Sequence, residues 1–273
     1  MNKILFTGAI IFSMAFLANA SAVISNLTEC SAEKNNSIKV DGDLSDWDNA
    51  NWIKVTKDNG VLDAGTRPLE GEKDLVFSFA LAYNDEGLLV GVKVEDDKIV
   101  ADSAKPGQDS APAWDDDACE FFIDGNYNRV TNSRANNGED LKFGGEFSIV
   151  ANGAYTSDFS GYPHSFGKLW QGAAKQVKQH TDIERPICKK KGEVCRAAKQ
   201  VKQHTDIEQG IVQYEYLIKW EAMGQTARPE KIGFNISLQD DDDGGRRDSA
   251  LYFTGNPKTP FIDESQFGTV IFK

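Results

Sequence analysis

The chain has 273 residues, with 42 acidic side chains against 30 basic ones and a formal net charge of −12. That balance excludes a binder of nucleic-acid backbone, which needs Lys and Arg to displace counterions, and it argues against docking on anionic lipid. With 26% charged and 40% hydrophobic residues the chain is neither disordered nor collagen-like, and its length suits one large β domain or two small ones.

The first element is a leader. Lys3 supplies a positive start, Ile4 to Leu17 is an uncharged apolar run, and Ala18-Asn19-Ala20 or Ala20-Ser21-Ala22 places small residues around a cleavage site. Residues 1–22 are therefore predicted to be a secretory signal peptide. The run is too short for a transmembrane helix, which needs about 20 apolar residues. The mature chain, 23–273, is expected outside the cytoplasm, secreted or periplasmic. Cys30 is not read as a lipid-bearing cysteine, because it lies well beyond the apolar run and follows Glu29.

Strands follow, marked by a period of two. Leu75, Phe77, Phe79, Leu81 and Tyr83 alternate with smaller residues; Asn84-Asp85-Glu86-Gly87 is a turn by composition; and Leu88, Val90, Val92 and Val94 alternate again. Together they predict a hairpin. Cys119, Phe121 and Ile123 share one face of a further strand, with Glu120 on the other. Val212 to Trp220 and Ile232 to Gln239 alternate over their whole lengths, and Leu251 to Thr254 and Thr269 to Phe272 are shorter candidates. No long stretch has a helical period. The pattern predicts an all-β chain folded as an antiparallel sandwich, immunoglobulin-like or jelly-roll-type, with no boundary that splits the mature chain in two.

One repeat interrupts this pattern. Ala173 to Glu184 reads AAKQVKQHTDIE, and Ala197 to Glu208 reads the same. Two copies are too few for a solenoid, which needs about three. The block 173–196 is therefore expected to be a duplicated insertion in a host domain. His180 and His204 are copies of one another, so their matching positions do not suggest a paired metal site. Four cysteines remain in the mature chain: Cys30, Cys119, Cys188 and Cys195. An oxidising compartment permits disulfides, and four cysteines allow three pairings. Cys188 and Cys195 bracket Lys189-Lys190-Lys191-Gly192, which could turn and let them meet. Zinc is the sharper reading and the poorer one, since neither a two-residue Cys spacing nor a His pair is present. Cys119 fits a buried thiol.

Acidic residues cluster at Asp41-Gly42-Asp43 with Asp46, at Asp115-Asp116-Asp117, and at Asp240-Asp241-Asp242-Asp243. Hard oxygen ligands close together suit calcium. Any one cluster also reads as a solvated turn; for the chain as a whole one structural calcium is expected, and Asp41, Asp43 and Asp46 are its candidate ligands. No Gly-x-Ser-x-Gly elbow, P-loop or His-Glu-x-x-His pair is present, and three isolated histidines do not suggest a triad. A non-catalytic protein is the expectation. Trp114 lies between Ala111-Pro112-Ala113 and Asp115-Asp116-Asp117. Two readings stand side by side: a cap on the end of the sandwich, or an exposed ring that stacks on a sugar.

Five landmarks carry a resemblance. Val40-Asp41-Gly42-Asp43-Leu44-Ser45-Asp46-Trp47 resembles the opening I-D-G-x-L-x-x-x-W of carbohydrate-binding module family 9. Trp114 to Asp124 is similar to its W-x-x-D-x-V-E-I-F-I-D segment, and Tyr214 to Trp220 to its strand ending E-x-x-I-K-W. Ile232 to Ile236 resembles I-G-F-N-I, and Asp263 to Gly268 the closing D-P-S-x-F-G. The resemblance implies a sugar-binding β-sandwich with structural calcium, in which two aromatic rings hold a sugar at the end of a glucan or xylan chain. Trp114 falls on the first ring, Phe261 on the second, where the family has Trp, and Glu120 on a sugar-contacting Glu. Ser237 stands where the family has Gln, and Ser148 aligns loosely with a family Arg. The candidate ligand contacts are Trp114, Glu120, Phe261, Asn235, Ser237 and Gln239. Association with glycoside hydrolases is implied as well. Related sandwiches bind haem, which makes a haem or electron-transfer domain the alternative. Met223 is the only methionine after the leader, and its predicted turn setting argues against that alternative.

Overall fold

The computed structural model describes residues 29–65, 67–105, 112–156, 166–178, 210–256, 258–259 and 261–273. The leader, the Cys188 and Cys195 pair and the second repeat copy lie outside the described residues. Thirteen strands are described, in chain order β1 (Glu29–Lys34), β2 (Ile53–Val55), β3 (Val61–Ala64), β4 (Leu75–Tyr83), β5 (Gly87–Asp96), β6 (Ala118–Asp124), β7 (Gly144–Val150), β8 (Tyr155–Thr156), β9 (Trp170–Lys178), β10 (Gly210–Lys219), β11 (Lys231–Asp240), β12 (Ser249–Tyr252) and β13 (Gly268–Phe272). Among the described residues no helix is long and apolar enough to cross a membrane.

Two curled sheets face each other. One runs β8-β7-β6-β11-β13, with β12 and β3 continuing beyond the second half of β11; the other runs β4-β5-β10-β9, with β2 beside β4. The fold is therefore the expected sandwich with one departure from a purely antiparallel design. Residues Glu29 to Ala32 of β1 pair in parallel with β13, and Glu33 and Lys34 pair in parallel with β4. A single strand thus closes the seam between the sheets.

The core follows from the alternation. Phe121, Phe147, Phe234 and Ile236 point inward from the first sheet and meet Phe79, Val92, Tyr214 and Tyr216 from the second. Phe121 stands edge-on to Tyr216 at 4.5 Å between ring centres, and Phe79 edge-on to Phe253 at 4.9 Å, the arrangement the ring quadrupole favours. Trp220 is buried, as its place at a strand end predicted. Cys30 and Cys119 are buried free thiols, and burial pushes the Cys30 thiol up to about 12.

The expected insertion boundary falls inside an element. Ala173 to Lys178, the first half of the first repeat copy, forms most of β9 and pairs with β10 across the sheet edge.

The Asp41–Trp47 segment is a latch on the outer face of the second sheet. Glu215 of β10 is buried and accepts the backbone N–H groups of Asp41 at 3.0 Å and Gly42 at 2.6 Å, and the Trp47 indole N–H at 2.8 Å. The indole lies against the backbone of β5 at Gly91, where an added Cβ would come within 2.8 Å of the ring.

Candidate functional site

Alternation sends every second residue of the first sheet to its outer face. On β6 these are Glu120 and Phe122; on β7, Glu146 and Ser148; on β11, Asn235, Ser237 and Gln239; on β12, Ala250 and Tyr252. Register puts Glu120 opposite Ser148 on one side and Ser237 on the other, and Phe122 opposite Glu146 and Asn235. The result is a polar strip, and its members are buried rather than solvated.

Its hydrogen bonds run across the strands. Gln239 donates to Glu120 Oε2 at 2.8 Å and to Ser237 Oγ at 2.9 Å. Arg247 donates to Gln239 Oε1 and, at 3.3 Å, to Asp63 Oδ2. Three atoms are left over: Glu120 Oε1, Glu146 Oε2 and Ser148 Oγ are buried without a hydrogen-bond partner of good geometry. Burial pushes Glu120 up to about 7, against the pull of nearby Arg247. Burial and then the Glu120 charge push Glu146 well above the usual carboxylate range, with Arg134 and Arg247 opposing. A buried polar group without a partner costs about 1–3 kcal/mol, so three together mark a place built for something else to bond.

The half-buried Phe261 ring borders the strip, and half-buried Trp114 lies just ahead of β6. Trp114 lies in the 3-10 turn Ala113–Asp115 that leads into β6. Phe261 packs on the apolar group formed by Phe122, Ala250, Tyr252 and Phe267, with the Arg134 guanidinium 4.7 Å from its ring centre. Glu120 sits between them along β6.

The predicted site residues divide accordingly. Glu120, Ser237 and Gln239 form one hydrogen-bonded set. Asn235 is engaged otherwise: its side chain donates to Thr254 O at 2.9 Å and accepts the N–H groups of Ile236 and Thr254, pinning the loop after β12. Glu146, Arg247 and Tyr252 were not predicted. The alternation Glu146-Phe147-Ser148-Ile149 was the signal for the first.

The acidic clusters are also re-sorted. Asp41 Oδ1 accepts the N–H of Asp43, Asp43 caps Ser45 and pairs with Lys175 at 2.7 Å, and Asp46 Oδ2 accepts the N–H of Lys39. These carboxylates bind their own turn and a lysine, and Asp46 Oδ1 is buried without a partner. The second and third clusters meet instead. Oxygens of Asp96, Asp117 and Asp240 lie within 4.8 Å of one another, and so do oxygens of Asp74, Asp240 and Asp242. Burial, then neighbouring carboxylates, push Asp96 and Asp117 well above the usual range and Asp240 up to about 7. Asp240 Oδ1 and Asp242 Oδ1 are buried and unpartnered. Met223 is fully buried in the core.

A strip of buried hydrogen-bonding groups bordered by an aromatic ring, on one face of a two-sheet sandwich, is the build of a small-ligand-binding module. The sequence matches the carbohydrate family 9 binding domain-like model over residues 40–273, and the chain belongs to that family. Its structure is similar to a carbohydrate-binding module of family 9 from Caldicellulosiruptor kristjanssonii in complex with cellotriose. Identity is 15% and the TM-score 0.58, over 90% of this chain and 93% of that one. It is equally similar to such a module from the same organism in complex with glucose, at 16% identity and a TM-score of 0.57, over 90% and 95% of the two chains. These likenesses show the fold. No curated protein matches the sequence.

Proposed function

We propose that the protein is an exported, non-catalytic sugar-binding module that takes chain ends of a glucan or xylan on the outer face of the first sheet. One observation carries this reading: the unpartnered Glu120, Glu146 and Ser148 atoms lie in a strip beside the Phe261 ring, with Trp114 in the turn that leads into β6. Sugar hydroxyls supply the missing donors, and the flat rings accept the C–H face of a pyranose. The cellotriose and glucose complexes of the similar modules support the ligand class. The leader supports export, and the family supports a role beside glycoside hydrolases. Affinity electrophoresis on xylan and cellulose, with a glycan array, tests the reading; no retardation on any glycan would overturn it.

Structural calcium belongs to the same proposal, moved to new ligands. Asp96, Asp117 and Asp240 fit such an ion: they are buried, their oxygens converge, and Asp240 Oδ1 has no partner. A bound divalent ion supplies the positive charge that these hard oxygens lack. The three carboxylates then tie the end of β5 to the turn before β6 and the end of β11.

A further inference from the structure

We propose that Glu120, Glu146 and Ser148 select a sugar bearing a protonated amine, a proposal that rests on the sugar-binding reading and names the ligand's chemical class. A neutral glucose unit would fill the strip with hydroxyls. The strip is built for more than that. Its three leftover atoms, Glu120 Oε1, Glu146 Oε2 and Ser148 Oγ, can all accept. An ammonium has three N–H donors and no acceptor, so one group can serve both carboxylates, whereas a single hydroxyl has one donor and serves only one of them.

Charge gives the second argument. The carboxylates facing the strip are Glu120 on β6, Glu146 on β7 and Asp63 on β3; the cations are Arg247 and Arg134. Arg247 hydrogen-bonds to Gln239 and Asp63, and Arg134 lies over Phe261. Neither guanidinium forms a salt bridge to Glu120 or Glu146 among the described residues. Once Glu120, Glu146 and Asp63 are all ionised they exceed the two arginines by one negative charge, which a ligand cation would meet. The groups are also close: Ser148 is directly opposite Glu120, and Glu146 is on its diagonal across the β6–β7 pair. Such diagonal neighbours have backbones about 7–8 Å apart, close enough for two glutamate side chains to converge on one ammonium. Without a cation, burial keeps both carboxylates protonated to higher pH than usual. When an ammonium enters, each carboxylate that ionises releases one proton to the buffer.

Calorimetry with three β-1,4-linked dimers that differ only at C2 of each ring tests this: glucosamine dimer, its N-acetylated form and cellobiose. At a pH of about 6, where the amine carries its proton, the glucosamine dimer should bind about tenfold or more tighter than cellobiose. Its binding enthalpy should depend on the buffer's own ionisation, reporting proton release, while that of cellobiose should not. Glu146→Gln should remove most of the preference, read as the ratio of glucosamine-dimer to cellobiose affinity, with its melting curve recorded as a check on folding. If cellobiose binds as tightly as the glucosamine dimer, the inference is overturned and the sugar-binding reading stands. A preference that survives in Glu146→Gln overturns the role given to that residue. If none of the three dimers binds and the glycan array is blank, the sugar-binding reading falls and this inference with it.

Discussion

Gln239 donates to Glu120 across the β6–β11 pair at 2.8 Å, and this contact leaves one oxygen of a buried carboxylate unmet. The consequence is a dependence of stability on pH. Burial raises Glu120 from 4.5 to about 7, so the folded protein holds this proton more tightly than the unfolded chain. The stability it contributes is present in full below the unfolded value and is lost as pH rises through the folded one. Denaturant unfolding should show a fall of order 3 kcal/mol between about pH 4.5 and 7, from this group alone. Glu120→Gln should flatten that part of the profile. Parallel profiles for the two proteins would show that Glu120 titrates normally.

Deleting residues 173–196 should leave a folded, sugar-competent module. The deletion removes Ala173 to Lys178 from β9, but it brings Ala197 to Lys202, the same six residues, next to Gly172. The second copy can take over the pairing with β10, closed by residues 203–209. The deletion also takes Cys188 and Cys195 out together. Loss of a cooperative thermal transition in the shortened protein would show that the duplicated block supports the core.

Trp114→Ala separates binding from packing. As a stacking platform, the ring should cost about 2 kcal/mol or more of sugar affinity when removed, with the melting temperature nearly unchanged. As a cap on the sandwich, it should cost about 3–5 kcal/mol of stability instead. Phe261→Trp enlarges the second ring and should tighten binding to chain-end sugars; unchanged affinity would place Phe261 away from the ligand.

Calcium should raise the melting temperature, and a chelator should lower it by several degrees, an effect of ligand binding to the folded state alone. Asp117→Asn should abolish the calcium dependence, whereas Asp43→Asn should leave it intact, because Asp43 is held by Ser45 and Lys175. The reverse outcome would return the ion to the Asp41–Asp46 turn.

Gly91→Ala tests the latch. Its Cβ would stand 2.8 Å from the Trp47 ring, so the indole or the strand must move. Overpacking of this kind costs about 1–3 kcal/mol. The loss should appear in thermal melting with sugar affinity retained, since Trp47 lies on the second sheet and the strip on the first.

Strands with one apolar face were legible in the sequence. Leu75 to Tyr83 and Val212 to Lys219 show their period because the residues between the core positions are smaller or polar. β1 was not: Glu29-Cys30-Ser31-Ala32-Glu33-Lys34 buries only Cys30 and Ala32, and two small side chains make a weak signal. β7 failed for the opposite reason. It is buried on both faces, so Glu146 and Ser148 look like surface residues in the sequence although they face the strip. The second set of converging carboxylates was hidden for a related reason. Asp41, Asp43 and Asp46 are close in sequence, but local spacing also builds turns. Asp96, Asp117 and Asp240 come from separate elements, and only folding brings them together.

The parallel pairing of β1 with β13 also bears on mechanics. Glu29 lies opposite Thr269 and Ala32 opposite Phe272, so a pull on residues 29 and 273 draws the two strands past each other along their length. Their hydrogen bonds are then loaded in shear and must yield together, whereas a hairpin pulled from its open end unzips one bond at a time. A module that clings to an insoluble glycan while flow or an attached partner tugs on it would carry that tension across a seam loaded in shear.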